Sequence, residues 1–169
     1  LVPANPSQNT TYARFEKFRI RQMGDPSGIG VWLLRSSRNT FRSMFIENYN
    51  QGVRIDGAMS TATGVAGAIA NHFEDCTVSM PNGGNHGVYL TGESDRTTGA
   101  SEINKWFGGY IQGELIIANN THEPLRQTSM LDTCVYFHRG QGNSFHGVSV
   151  SGARWGYLFD DRRNSVHKT

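Results

Sequence analysis

Four residues of the sequence could carry acid–base chemistry: Glu74, Asp75, His138 and Asp160. Glu74 and its neighbour Asp75 could supply an acid to a glycan groove, because glycosidases hold two carboxyl groups about 5–10 Å apart across the scissile bond. His138 and Asp160 could exchange a proton if the fold brings them side by side. The same residues also fit solvated charges or surface ion pairs, which are the commoner roles. All four are candidate catalytic residues, and their placement depends on the fold.

Four further residues are candidates for binding a polysaccharide: Trp32, Arg54, Tyr89 and Tyr136. Each is the third residue of a recurrent Gly-Val-x-Φ motif or of a looser form of it, where Φ is a large apolar residue, and Leu158 holds the same position in a later copy. Aromatic rings and arginine can contact sugar rings, hydroxyls and carboxylates. Subunit interfaces are enriched in the same residue types. An exposed apolar stripe usually marks a partner, which favours the interface, and both interpretations stay open.

A second repeat, Asn-x-Φ-x-x-small or apolar-x-Φ, alternates with the first. Its full copies are Asn39, Phe41, Met44, Ile46; Asn71, Phe73, Cys76, Val78; Asn104, Trp106, Gly109, Ile111; and Asn143, Phe145, Val148, Val150. The Gly-Val-x-Φ copies are Gly52–Ile55 and Gly87–Leu90, with looser forms at Gly30–Leu33, Cys134–Phe137 and Gly156–Phe159. Spacing within each motif is constant and only the linkers vary, which is typical of stacked solenoid coils.

The repeats predict an all-β solenoid, a parallel β-helix of about five coils plus a partial one that begins at Asn164. Apolar residues at offsets 2, 5 and 7 from each Asn require a change of side-chain parity, which predicts a bend between two short strands. Stacking would place Phe41, Phe73, Trp106 and Phe145 in an interior aromatic ladder and the asparagines in a hydrogen-bonded ladder. Residues 1–11 are predicted to be an extended lead-in and residues 12–169 one β-helix domain.

The same register groups the candidate residues into outward columns. One column runs Glu16, Arg42, Glu74, Phe107, His146 and His167, and it favours a surface charge ladder over an acid in a groove. Another runs Leu34, Asp56, Thr91, His138 and Asp160, which places His138 and Asp160 one coil apart. The longest linkers are natural sites for function because insertions project from a solenoid: Gly57–Ala70, Gly92–Ile103 and Gln112–Thr133.

Charge, hydropathy and cysteine and histidine spacing limit the classes of partner and ligand that the sequence predicts. The net charge is +2 and Lys and Arg are spread along the chain, so no surface for nucleic acid is expected. No apolar run is long enough for membrane insertion. Cys76 and Cys134 form no CxxC pair and the six histidines lack metal-ligand spacing, so neither a metal nor a cofactor is expected.

The runs GIGVWLLRSSRNTFRSMFIENYNQGVRID and GNSFHGVSVSGARWGYLFDD resemble the coils of right-handed parallel β-helix proteins of the pectate-lyase-like superfamily. Within it, the chain is most similar to bacteriophage tailspikes and related tail appendages. The resemblance covers residues 12–169 and lies in the repeat pattern, without a catalytic signature. It implies a right-handed helix, a homotrimer in the extracellular virion tail, and a host cell-surface polysaccharide as partner.

Three functions remain as alternatives. The first is a tailspike-like segment that presents a host-glycan recognition surface, with polysaccharide depolymerase activity, as hydrolase or lyase, left open. The second is a secreted polysaccharide lyase, hydrolase or epimerase that acts as a monomer. The third is a purely structural spacer of a trimeric fibre. Because the final coil has only begun at residue 169, we also expect further polypeptide or a capping subunit there.

Overall fold

The structure is a computed structural model and describes residues 10–57, 67–92, 101–113 and 131–160. These residues contain β-strands and no helix, and four strands make one coil. Coil by coil, the strands are β1 Thr10–Thr11, β2 Arg14–Glu16, β3 Arg19–Arg21, β4 Ser27–Leu34; β5 Ser36–Ser37, β6 Thr40–Arg42, β7 Phe45–Glu47, β8 Tyr49–Gly57; β9 Ala68–Ile69, β10 His72–Glu74, β11 Thr77–Met80, β12 Gly84–Gly92; β13 Ser101–Glu102, β14 Lys105–Phe107, β15 Tyr110–Gly113, β16 Leu131–Phe137; and β17 Gly140–Gln141, β18 Ser144–His146, β19 Ser149–Ser151, β20 Ala153–Phe159.

Equivalent strands of successive coils pair in parallel and build three five-stranded faces. The first sheet contains β2, β6, β10, β14 and β18, the second contains β3, β7, β11, β15 and β19, and the third contains β4, β8, β12, β16 and β20. The short strands pair at one corner, β1 with β5 and β9 with β13 and β17. The chain is a right-handed parallel β-helix, as predicted. The predicted partial coil at Asn164 and most of the lead-in lie outside the described residues.

Every coil turns from the first to the second sheet at one residue with a left-handed backbone. The φ angles at this position lie between 49° and 63°, at Lys17, Ser43, Asp75, Gly108 and Gly147. A left-handed residue bends the chain and changes which face the following side chains occupy. This corner confirms the predicted bend between the apolar residues at offsets 2 and 5.

The interior aromatic ladder is present and continuous. Phe73 stacks on Phe41 with 4.8 Å between ring centroids and on Trp106 with 4.2 Å, and both pairs are within 11° of parallel. Phe15 extends the stack at one end and Phe145 at the other. Phe73 has no solvent exposure, so the ladder forms the centre of the core beneath the first sheet.

The asparagine ladder is buried at the corner before the first sheet. The side-chain nitrogen of Asn71 donates to Oδ1 of Asn104 (2.9 Å) and to the Ser36 carbonyl (2.7 Å). Its Oδ1 accepts from the side chain (2.9 Å) and backbone nitrogen (3.1 Å) of Asn39. Asn104 bonds to Asn143 in the same way. Each amide therefore finds partners for both its donor and its acceptor groups, which is what makes burial of a polar column tolerable.

Replacing Phe73 by alanine tests the ladder. We expect Phe73→Ala to lower the free energy of unfolding by about 3–5 kcal/mol, because it removes a buried ring and leaves a cavity between two stacked neighbours. Chemical denaturation measures the change. Phe107→Ala is the matched control, since Phe107 is 38% exposed on the outer face one residue after Trp106, and it should cost less than half as much. Equal losses in the two variants would contradict the interior position of Phe73.

Candidate functional site

The predicted binding column lies on the outer face of the third sheet in the expected register. Trp32 pairs with Arg54, Arg54 with Tyr89, Tyr89 with Tyr136, and Tyr136 with Leu158. The residues on either side of Tyr89 in the sequence are buried in the core. Side chains alternate along a strand, so those of the column point outward. We call these five residues the outer strip.

The rings of the outer strip turn their faces toward one another along the helix axis. The guanidinium carbon of Arg54 lies 5.5 Å from the Trp32 ring centroid and 5.7 Å from that of Tyr89. Tyr89 and Tyr136 stack at 5.4 Å and 20°. Asp56 holds Arg54 through an ion pair of 2.8 Å. A ring stacked between neighbours at the coil spacing of about 4.8 Å has little face left for a flat sugar, so the strip presents mainly edges and hydroxyl groups.

His138 and Asp160 are brought together, as predicted, beside the outer strip. Nε2 of His138 lies 3.6 Å from Oδ2 of Asp160, while its Nδ1 lies 3.0 Å from the Tyr89 hydroxyl and 3.3 Å from that of Thr91. Tyr136 donates to Asp160 at 3.3 Å. Burial, and after it the Asp160 carboxylate, raises the pKa of Tyr136, so the phenol stays protonated as the donor. Both ring nitrogens of His138 therefore lie near polar groups. A catalytic role for His138 and Asp160 stays a prediction.

Glu74 and Asp75 lie elsewhere, on the first sheet and its corner. Arg42 donates to Glu74 at 2.7 Å and lies 3.8 Å from Glu16, which is the predicted charge ladder. Asp75 is one of the left-handed corner residues, with φ of 49°. Asp160 follows the last strand of the third sheet. The four candidate catalytic residues therefore form no single site.

His86 belongs beside the outer strip and was not singled out by the sequence. Its ring centroid lies 4.9 Å from that of Tyr89 and 5.1 Å from that of Tyr136. Its Nδ1 is buried without a hydrogen-bond partner among the described residues. Loss of solvent lowers the pKa of His86, with nearby His138 acting in the same direction, and this outweighs the opposing effects of the Asp132 carboxylate and the Asn85 backbone. The neutral form of the His86 ring is therefore favoured.

A polar groove follows the corner between the second and third sheets. Two adjoining cavities, of about 500 and 480 Å³, share Pro26 and Asn82. Their lining residues come from all five coils, so the groove runs about 19 Å along the axis at about 4.8 Å per coil. Its polar surface is rich in amides and carboxylates: Asn48, Asn50, Asn82, Asn85, Asp25 and Asp132. We call it the corner groove.

A second chain of amides gives the corner groove its shape. Asn48 is 3% exposed and has a left-handed φ of 64°. Its side chain donates to the carbonyls of Gln22 (3.0 Å) and Gly24 (2.7 Å) and accepts from the side chain of Asn82 (2.9 Å). The turn of the first coil is thereby fixed to the second and third coils.

One sequence signal could have found the corner groove. Asn50, Asn85, Asp132 and Arg154 each stand two residues before the first residue of a Gly-Val-x-Φ copy. A polar residue therefore recurs at one position of the aligned coils, as the second residue of a third-sheet strand. Large parts of the linkers predicted to carry function, and His167, lie outside the described residues.

No protein-family model matches the chain, and no curated protein matches it. Within the described ranges, no three His, Cys, Asp or Glu side chains gather closely enough to hold a metal ion. No helix of those ranges has the length and hydropathy to cross a membrane.

The lowered pKa of His86 predicts an acid-sensitive contribution to stability. The unfolded chain takes up a proton near pH 6.5, whereas the folded chain does so only at lower pH. Stability linked to His86 is therefore complete above about pH 6.5 and is lost as the pH falls from there through the folded pKa. We expect the free energy of unfolding of His86→Gln to fall less between pH 7 and pH 5 than that of the parent. Parallel profiles from urea denaturation would show that His86 is not its source.

Proposed function

We propose that the chain is a tailspike-like β-helix segment that binds a cell-surface polysaccharide along the corner groove. The observation that carries the proposal is the groove itself, which spans five coils and is lined by Asn50, Asn82 and Asn85. An amide offers donors and an acceptor together, and so can match sugar hydroxyls, which also donate and accept. Each cavity has a volume in the usual range for ligand sites, about 300–1,000 Å³.

The groove supports polysaccharide binding because its shape is preorganised before the ligand arrives. Asn48 ties the first turn to the neighbouring coils, and the strands on either side pair with other coils throughout. A site that does not reorganise loses less entropy when it binds. This matters for neutral hydrogen bonds, which each contribute only about 0.5–1.5 kcal/mol. A polymer of sugars can repeat such contacts from one coil to the next.

The groove favours binding over cleavage. Its two carboxylates, Asp25 and Asp132, belong to the first and fourth coils. Three coils at about 4.8 Å separate them by about 14 Å along the axis, beyond the about 5–10 Å over which a pair of carboxyl groups acts on a glycosidic bond. The described part of the groove thus lacks a glycosidase pair.

The proposal includes assembly into a homotrimer in a virion tail, with the outer strip as the contact surface. Half-buried aromatic edges and an arginine are residue types that interfaces enrich, and Trp155 on the same sheet is 51% exposed. Light scattering measures the mass in solution. A trimer supports this part of the proposal, whereas a monomer contradicts it and favours the secreted-enzyme alternative.

A binding screen with bacterial surface polysaccharides tests the groove. We expect the chain to bind at least one polymer, and Asn82→Ala with Asn85→Ala to weaken that binding about tenfold or more, since lost amide contacts totalling about 1.4 kcal/mol give that factor. Gln141→Ala is the matched control and should bind like the parent, because Gln141 is an exposed amide in β17, at the corner between the third and first sheets. Calorimetry measures the affinities.

Parallel assays for new reducing ends and for the ultraviolet absorbance of unsaturated sugars follow the fate of the polymer. Binding with neither signal supports a recognition segment. New reducing ends alone would indicate a hydrolase, and absorbance would indicate a lyase. Failure of an intact oligomer to bind any polymer would contradict the proposal and favour the structural spacer.

A further inference from the structure

We infer that the corner groove selects glycans that carry a carboxylate and a free amine close together, with Arg21 binding the carboxylate and Asp25 binding the ammonium group. The inference rests on the proposed function and adds the chemical class of the ligand. It follows from two opposite charges that line the same cavity of the groove without pairing with each other.

Arg21 supplies the cation. The neighbouring carboxylate of Glu47 is already held by Arg19, whose Nη2 donates to Oε2 at 2.5 Å. Nε of Arg21 lies 3.6 Å from the same oxygen, which is too far for a hydrogen bond. The side chain of Arg21 is also 52% exposed. Its guanidinium group is therefore available to a ligand, and a carboxylate is an anion that matches its planar fork.

Asp25 supplies the anion. It is exposed on the turn of the first coil and lines the same cavity as Arg21. Among the described residues no cation or hydrogen-bond donor pairs with it, Arg21 included. The two charges thus balance in sum but stay apart. Such a cavity favours a ligand that places an anion against Arg21 and a cation against Asp25, because complementary charges determine which partner binds.

The backbone between the two charges is held in place. The buried side chain of Asn48 donates to the carbonyls of Gln22 (3.0 Å) and Gly24 (2.7 Å). Gln22 directly follows Arg21, and Gly24 directly precedes Asp25. Both charged side chains therefore start from fixed backbone positions, and a preformed arrangement loses less entropy when a ligand binds.

The other charges of the groove do not offer the same arrangement. Arg154 and Asp132 line the second cavity and lie beside each other, with Nη1 of the arginine 3.7 Å from Oδ1 of the aspartate. The separated charges are therefore confined to the cavity of the first coils. Asn82 lines both cavities, and its amide can bind the hydroxyl groups of sugars that extend from one cavity to the other.

Four forms of one polymer test the inference. The polymer alternates glucuronic acid with glucosamine, and its forms carry both charges, the carboxylate alone after N-acetylation, the amine alone after carboxyl reduction, or neither. We expect the form with both charges to bind about threefold more tightly than either singly charged form, since an exposed ion pair strengthens binding by a factor of about 1.4–5. Added salt should reduce both ratios. Calorimetry measures the affinities.

Two variants should separate the two preferences. Arg21→Gln should remove the preference for the carboxylate and keep that for the amine, whereas Asp25→Asn should do the reverse. Lys105→Gln in β14 and Glu102→Gln in β13 remove the same charges outside the groove, so both should keep the two preferences of the parent. Thermal melting should be alike for all four variants.

Each contrary result has its own meaning. If the uncharged form binds as tightly as the doubly charged one, the inference is overturned while polysaccharide binding stands. If neither groove variant changes its expected ratio, the assignment to Arg21 and Asp25 is overturned. If none of the four forms binds although another polysaccharide of the panel does, the charge pair does not select the ligand and the inference is again overturned. If no polysaccharide binds at all, the proposed function falls together with the inference.

Discussion

The register between coils is the constraint on which the rest of the structure depends, and the buried asparagine ladder enforces it. Asn39, Asn71, Asn104 and Asn143 are all at most 3% exposed. A slip of one coil against the next would separate these amides and leave donors and acceptors unpaired in the core, at a cost of about 1–3 kcal/mol for each group. The ladder thus stabilises one alignment of successive coils and penalises the others. That alignment also sets the positions of every other column of side chains.

In-register stacking has opposite consequences inside and outside the helix. Inside, it packs Phe41, Phe73 and Trp106 face to face and excludes water. Outside, the same spacing covers the faces of Tyr89 and Tyr136, so that an aromatic column on the surface cannot serve as a row of open platforms. The corner groove instead combines residues near the starts of third-sheet strands, such as Asn50 and Asn85, with turn residues such as Asn82, and it gives the described part of the chain a concave surface at that corner.

The fold could be predicted from the sequence because the recurrent positions of both repeats are mainly buried residues, and each buried position has one role in packing or hydrogen bonding. The constant offsets of the apolar residues predicted the bend. The recurrence of Asn and of large aromatic residues at the same positions predicted the amide and aromatic ladders. The recurrent polar position of Asn50 and Asn85 marks one part of the groove, but the rest of its lining comes from turns of unequal length, such as the one holding Asp25 and Pro26, whose packing no repeat specifies. His86 was missed for a related reason: its burial comes from Tyr89 and from Tyr136 one coil away, not from its own position in the motif. The proximity of His138 and Asp160 followed from the register, but their role could not.

The glycine of the Gly-Val-x-Φ motif connects the core to the groove. A Cβ at Gly52 would collide with the Val78 side chain and the Gly87 carbonyl, and one at Gly87 would collide with Ile111 and the Cys134 carbonyl. The missing side chain therefore lets the second sheet approach the start of the third sheet closely. Asn50 and Asn85 lie two residues before these glycines, so the tightness of the core at this corner also fixes where the amides of the groove stand. A larger residue at either glycine would widen the corner, and the groove would lose its spacing even though none of its own side chains had changed.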